Sequence, residues 1–239
     1  AIGDELTSGE RLDTNSQFLS QQLGLLGIPV SHHTTVGDDQ SAIAAVLATA
    51  CVRSDVVVVS GGLGPTADDL TRQALSEMTG RPLIRDEQSL GHIRALFARR
   101  GRTMPERNTI QAYFPEGSRP IANPHGTAPG IHLAILRAGD AAVDLFALPG
   151  VPAELTEMWH SAVCPALAAR LGPARRVIQQ RAIRCFGAGE SQIESMLPDL
   201  IRRGHQPTVG ITASQATISL RIVAEGDSQS QCQEQIDAT

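Results

Sequence analysis

Four consecutive valines, Val56 to Val59, cannot alternate between a buried and a solvated face. They therefore constrain the chain to a strand covered on both sides, as parallel strands flanked by helices are. The strand runs directly into Ser60-Gly61-Gly62-Leu63-Gly64-Pro65-Thr66-Ala67-Asp68-Asp69, a glycine-rich turn carrying two carboxylates. Glycines leave backbone N–H groups unshielded, so a phosphate can approach this turn closely. On that reading a β-branched side chain at Gly62 would fill the space a phosphate must enter. Thr66 and Asp69 have capping-box spacing, which predicts that the next helix starts there with its positive dipole end at the same place. Asp68 and Asp69 read in two ways, as ligands of a metal beside the anion or as a solvated acid and a helix cap.

Composition narrows the function classes. The chain has 239 residues and a net charge of −5, and its 20 cations are all arginine. The absence of lysine excludes a P-loop lysine, a Schiff-base lysine and a lysine general base. One Trp and one Tyr in a mildly acidic chain supply neither the basic stripe nor the stacking aromatics of a nucleic-acid binder. Cys51, Cys164, Cys185 and Cys232 are far apart, which reads as free thiols in a reducing compartment and a cytoplasmic location. No apolar run reaches the ~18 residues that cross a bilayer, and no signal peptide is visible, so no membrane partner is expected. The opening Ala1-Ile2-Gly3-Asp4-Glu5 reads as the tail of a first strand whose beginning lies further upstream.

Helix and strand signals alternate, the pattern of an α/β domain with a mostly parallel sheet. Phe18, Leu19, Leu23 and Leu26 give a helical face ended by Gly27; Ile28 to Val36 reads as a strand; Gly37-Asp38-Asp39 turns into a helix holding Ile43 and Leu47. Helices follow over Leu70 to Thr79 and Glu87 to Arg100, then a polar loop from Gly101 to Arg107. Two prolines and two glycines fix an irregular backbone between Asn123 and Gly130. Strands Ile131 to Leu136 and Val143 to Leu148 flank a turn at Gly139-Asp140. The second strand enters Pro149-Gly150-Val151-Pro152-Ala153-Glu154 and a helix through Trp159 and Val163. Strand, glycine-bearing turn and acid-bearing helix thus occur twice, and both turns would border one crevice beyond the carboxyl ends of the strands.

A break at Leu171-Gly172-Pro173 separates residues 1–170 from a smaller α+β domain over 175–239. Its expected elements are a strand Val177 to Phe186, a helix Gly189 to Arg203, strands Thr208 to Thr212 and Ala216 to Val223, and a helix after Asp227. Gly187-Ala188-Gly189-Glu190 is either a second anion cradle or a plain turn and helix start. His32 and His33, neighbours in a strand, would face opposite ways and cannot share a metal. His125 is either an exposed loop residue or a catalytic one.

Seven motifs occur in order: Gly3-Asp4-Glu5-Leu6, Asp13-Thr14-Asn15, Val36-Gly37-Asp38, Ser60 to Thr66 with Asp68-Asp69-Leu70-Thr71, Asn123-Pro124 with Gly126-Thr127-Ala128-Pro129-Gly130, Leu148 to Pro152 with Glu154-Leu155, and Phe186 to Ser191. In this the chain resembles the N-terminal part of the competence/damage-inducible protein CinA family. The resemblance implies a three-layer molybdopterin-binding-like domain followed by a KH-like one, and a metal-dependent pyrophosphatase that turns ADP-ribose into AMP and ribose 5-phosphate. It implies ligand contacts at Gly3, Asp4, Glu5, Asn15, Gly61, Gly62, Gly64, Pro65, Thr66, Gly126, Thr127, Gly130, Pro149 and Gly150. It also implies a nucleotide as the partner and a homodimer. The chain carries nothing like the nicotinamide-mononucleotide deamidase stretch of longer members, so deamidation is not expected of it.

The chemistry required agrees with that family. Hydrolysing a pyrophosphate needs backbone donors, a metal to neutralise developing charge, and an oriented water. Gly61, Gly62 and Gly64 would supply donors. Asp68, Asp69 and Asp38, with Asp4 or Glu5, would hold a divalent ion such as Mg, Mn or Co. Glu154 is a further ligand, a water-orienting group, or only a complement to its helix dipole; Asp38 is a ligand or a turn residue. The competing expectation is a nucleotide- or pterin-binding module related to molybdenum-cofactor biosynthesis proteins that turns nothing over.

Overall fold

A computed structural model describes residues 1–137, 142–172, 176–201, 204–214 and 217–239. Gly139-Asp140, Pro173, Arg203 and Ala216, where the sequence places a turn, a break, a helix end and a strand start, lie outside the described residues. The chain forms two compact units, one of Ala1–Leu19 with Ser31–Leu167, the other of Ser20–Val30 with Ala168–Thr239. Residues 20–30 go with the second unit, where a Cβ on Gly27 would lie 3.7 Å from the Ile178 side chain.

In the first unit the described elements are α1 (Asp4–Thr7), α2 (Thr14–Leu25, shared with the second unit), α3 (Gln40–Arg53), β1 (Val56–Ser60), α4 (Thr71–Thr79), β2 (Leu83–Arg85), α5 (Glu87–Arg99), a 3-10 helix Glu106–Ala112, β3 (Tyr113–Pro115), β4 (Arg119–Ile121), β5 (Gly130–Leu136), β6 (Ala142–Leu148) and α6 (Pro152–Met158). A π-helical turn, Trp159–Val163, joins α6 to α7 (Cys164–Leu171). The main sheet has the order β1-β6-β5-β4. β1 pairs with β6 in parallel, Val56 opposite Asp144 through Ser60 opposite Leu148. β5 pairs with β6 and β4 with β5 in antiparallel fashion, so the sheet is mixed. Its core gathers Ile43 and Leu47 of α3, Leu75 of α4, Ile131 and Leu133 of β5, and Val143 and Leu145 of β6. The valine run forms the expected strand, paired in parallel with β6, but it is buried less evenly than expected, half-buried at Val56 to Val58 and buried at Val59.

Three local expectations are corrected. Ile28 to Val36 is no strand: Pro29 has no N–H to give, residues 31–35 are exposed, and only Val36 reaches the sheet, by a parallel bridge to Ile2. The helix after the glycine turn starts at Thr71 rather than at Thr66, because the Asp69 side chain turns back on the preceding loop instead of capping. The helix from Gly189 ends at Met196, two residues before Pro198.

The second unit carries β7 (Val177–Cys185), α8 (Glu190–Met196), β8 (Thr208–Ser214), β9 (Thr217–Gly226) and α9 (Gln229–Asp237), with an antiparallel sheet of order β7-β9-β8. Alternation along β9 buries Ile218, Leu220, Ile222 and Ala224 against Ile193 of α8 and Cys232 and Ile236 of α9. Gly189 precedes the seven-residue α8 with no side-chain cap, and Gly187 sits at φ 79°.

Candidate functional site at the strand ends

Four chain segments end side by side in the first unit. The Ile2 N–H donates to Ser60 O at 2.9 Å, the Gly3 N–H to Val36 O at 3.0 Å, and the Gly61 N–H to Leu148 O at 3.0 Å. The lateral order is therefore Val36, Ile2, β1, β6. In chain order that is second, first, third, fourth, and the reversal between Ile2 and β1 is the kind of switch point where open α/β sheets bind ligands. Asn15, in the first turn of α2, ties the two glycine turns together: its Nδ2 donates to Ser60 Oγ and to Gly150 O, both at 2.8 Å. A Cβ on Gly150 would stand 3.5 Å from Gly61 Cα, so the turns touch.

The glycine loop is built by close approach. Gly61 and Gly62 have φ of 110° and 66°, which L side chains rarely adopt. A Cβ on Gly62 would lie 2.3 Å from Thr71 Oγ1, the hydroxyl that donates to Gly61 O. This corrects the sequence reading: a side chain at Gly62 would break the turn from within rather than fill a ligand's space. Asp69 accepts from the Gly64 N–H at 2.7 Å, the Thr66 N–H at 2.8 Å and Thr66 Oγ1 at 2.5 Å. Both its oxygens thus serve the loop. Asp68 is exposed, Pro65 half-buried.

Asp4 and Asp38 clasp one another. The Asp4 N–H donates to Asp38 Oδ2 and the Asp38 N–H to Asp4 Oδ1, each at 3.0 Å. Desolvation first, and then the charges of Asp4, Glu5 and Asp68, push the Asp38 carboxyl above the usual carboxylate range, against the backbone hydrogen bond that lowers it. Asp38 thus lies in the field of three other acids. Among the described residues, no group of three or more His, Cys, Asp or Glu side chains is arranged to hold a metal ion. The donor set suits only an ion that takes most of its ligands from phosphate and water, as magnesium does.

On the far side of the second turn, the Glu154 carboxylate accepts from Asn123 Nδ2 at 2.7 Å. Asn123, 2% exposed, also donates to Ala128 O and accepts from the His125 and Gly126 N–H groups, so it holds the whole 123–130 loop. Gly126 is buried under Glu154, whose carboxylate a Cβ there would meet at 2.2 Å. Gly130 lies within β5, where a Cβ would meet Ala147 O and Met158 Cε at 2.7 Å, a packing requirement. Thr127 is half-buried, Pro149 buried beside Gly150, and His125 exposed. A cavity of about 590 Å³ between α3, α4 and β5, lined by Cys51, Met78 and Arg81 among others, lies at the opposite end of the sheet and does not belong to this site.

Sequence reasoning assigned no role to Asn123 or to Arg72. Arg72, in the first turn of α4, is 1% exposed; its Nη1 donates to Leu63 O at 2.8 Å, and Nε and Nη2 have no partner among the described residues. Burial lowers its pKa to about 10, against the opposing field of Asp69. The available signal was its register: Arg72 stands three residues before the fully buried Leu75, on a helix face that packs inward.

Residues 1–169 match the family described as Probable molybdopterin binding domain, and residues 180–239 match the Damage-inducible protein CinA KH domain. A competence-damage inducible protein of Symbiobacterium thermophilum is 46% identical over 92% of this chain and 51% of its own length. A CinA-like protein of Dictyoglomus thermophilum is 41% identical over 99% of this chain and 56% of its own. The chain spans about half the length of these curated relatives. A crystal structure of a CinA protein of unknown function from Thermoplasma acidophilum is 35% identical, with a TM-score of 0.60 over 67% of this chain and 90% of that one. No helix among the described residues is long and apolar enough to cross a membrane. With both domains matched in order and the strand-end motifs in place, the chain belongs to the competence/damage-inducible CinA family.

Proposed function

We propose that the first unit is a binding module for a phosphate-bearing nucleotide or pterin, held at the carboxyl ends of its parallel segments. The observation that carries this reading is Asn15, whose one amide joins the β1 turn to the β6 turn at the switch point. Such a stitch fixes two backbone rims at one spacing, which is what orienting a ligand requires. The molybdopterin-binding description of the matched domain supports the same ligand class. Calorimetric titration of the chain with ADP-ribose and, separately, with a pterin monophosphate tests it. Saturable binding lost in Asn15→Leu is the expected result, and no binding of either ligand overturns the reading.

A second reading is metal-dependent hydrolysis of the ADP-ribose pyrophosphate. It is favoured by the three acids around Asp38, namely Asp4, Glu5 and Asp68, whose repulsion with it a divalent cation would relieve. Asp38 and Asp68 would hold Mg, Mn or Co together with the ligand's phosphates, and the ion would neutralise charge developing on the pyrophosphate. Glu154, held by Asn123, would orient water. AMP released from ADP-ribose with one of these metals, and lost in Asp38→Asn with Asp68→Asn, is the expected result. Binding without turnover leaves the module reading alone. A homodimer and a cytoplasmic location belong to this proposal, the latter supported by four free cysteines.

A further inference from the structure

Three donors converge on one carboxylate in the loop after β1: the Gly64 N–H, the Thr66 N–H and the Thr66 hydroxyl all bind Asp69. Two backbone donors either side of Pro65, with the Thr66 hydroxyl beside the second, converge as the donors of a phosphate-receiving concavity do. Here the chain fills it with an anion of its own. Arg72, which donates to the Leu63 carbonyl beside Gly64, is a cation in the opposite condition. Arg72 is buried with one hydrogen bond, to Leu63 O, while Nε and Nη2 have no partner among the described residues. Buried donors left unpaired are costly, and a cation in the first turn of α4 is also set against the helix dipole. Asp69 is the charged group whose field acts on it.

We infer that Gly64 to Thr66 form a phosphate cradle kept shut by the Asp69 carboxylate, and that an incoming phosphate takes those donors while Asp69 passes to the guanidinium of Arg72. This rests on the reading of the first unit as a phosphate-ligand module. In the closed arrangement the loop donors are satisfied and the cation is not. After the exchange the phosphate satisfies the donors and Asp69 satisfies the cation. Arg72 thereby acts as a positioning residue: it touches the displaced carboxylate, not the ligand.

The test is calorimetric titration of inorganic pyrophosphate into the parent chain, Asp69→Asn, Arg72→Met and the double variant, each checked for folding by circular dichroism. Asparagine keeps the shape but competes less well for the donors, so pyrophosphate binds Asp69→Asn tighter by about 10-fold, within the usual range for coupled sites. Arg72→Met weakens binding in the parent, where Asp69 needs a destination, and leaves binding unchanged in the Asp69→Asn background. Should methionine not fold, Arg72→Gln carries the same comparison. Unchanged or weaker binding in Asp69→Asn overturns the exchange, as does an equal effect of Arg72→Met in both backgrounds. If ADP-ribose binds the parent while pyrophosphate binding ignores Asp69, the exchange falls and the ligand-module reading stands. If neither binds the parent or any variant, both fall.

Discussion

After β1 the carboxylate that presses on a glycine, Asp69, is held by N–H and hydroxyl donors of its own loop; after β6 its counterpart, Glu154, is held by Asn123, a buried side chain from another loop 31 residues away. Both turns follow a strand of the same parallel pair, and both lead into a helix. The difference lies in where the acceptor's partner comes from. A carboxylate tied only by donors a few residues away can let go at the cost of one loop rearranging. One tied by the amide that also organises the 123–130 segment cannot move without unmaking that segment. The first turn is suited to exchange partners and the second to stay fixed.

Removing Asn123 tests the fixed side most severely. Asn123→Leu strands the Gly126 and His125 N–H groups and the Glu154 carboxylate together, so we expect a loss of about 3 kcal/mol or more. Thermal unfolding would show it as a midpoint lower by roughly 6–12 °C, at 2–4 °C per kcal/mol for a unit of this size. A midpoint within about 2 °C of the parent would break the contrast between the turns. A smaller effect is expected from adding a methyl group under each acid. Gly126→Ala meets the pinned Glu154 and should cost about 1–3 kcal/mol, partly recovered by Glu154→Ala in the same chain. Gly64→Ala meets the looser Asp69 and should cost less than Gly126→Ala by urea denaturation. The reverse order would show the first loop to be the rigid one.

Arg72 sharpens the comparison through pH. Its folded pKa, near 10, is depressed below that of a free guanidinium, so the unfolded chain binds more protons there and stability rises as pH increases through about 10. A chain without lysine has few other groups titrating in that interval. Urea midpoints at rising alkaline pH should show this increment in the parent and lose it in Arg72→Met. The smallest effect belongs to Asp38. Its raised pKa means the folded state is favoured below the usual carboxylate pKa of 3.8, with that advantage lost as pH rises through the folded value. Asp38→Asn should therefore be more stable than the parent at neutral pH, by no more than about 1 kcal/mol for a group only half-buried, and equal to it near pH 3. A neutral-pH loss would mean that the clasp with Asp4 matters more than the repulsion.

Much of this arrangement is legible in the amino-acid sequence. A run of four valines has one architecture open to it, and glycine turns after two such strands locate the site by the geometry of α/β sheets. What failed were inferences from spacing alone. Thr66 and Asp69 do interact, as a capping pair would, but to close a loop, because the helix begins only at Thr71 and spacing does not say which backbone the carboxylate will meet. Ile28 to Val36 has the composition of a strand yet joins the sheet at one residue. Asn123 and Arg72 escaped for a different reason: Asn123 bonds its own loop only in a backbone shape that residue types do not dictate and reaches Glu154 31 residues away, while Arg72 is marked by donors without partners among the described residues.

Gly37, Gly64 and Gly126 share a circumstance with a consequence for how such chains change over time. None has a backbone conformation that demands glycine, yet a Cβ at each would come within 2.4 Å of a carboxylate oxygen, from Asp4, Asp69 and Glu154 respectively. The space at each glycine is held by its acid. Along a lineage the glycine acquires a side chain at less cost once the acid has shortened, because in the opposite order the carboxylate must first swing aside. Substitution histories of relatives should therefore favour one order at these pairs, the acid lost first and the glycine afterwards.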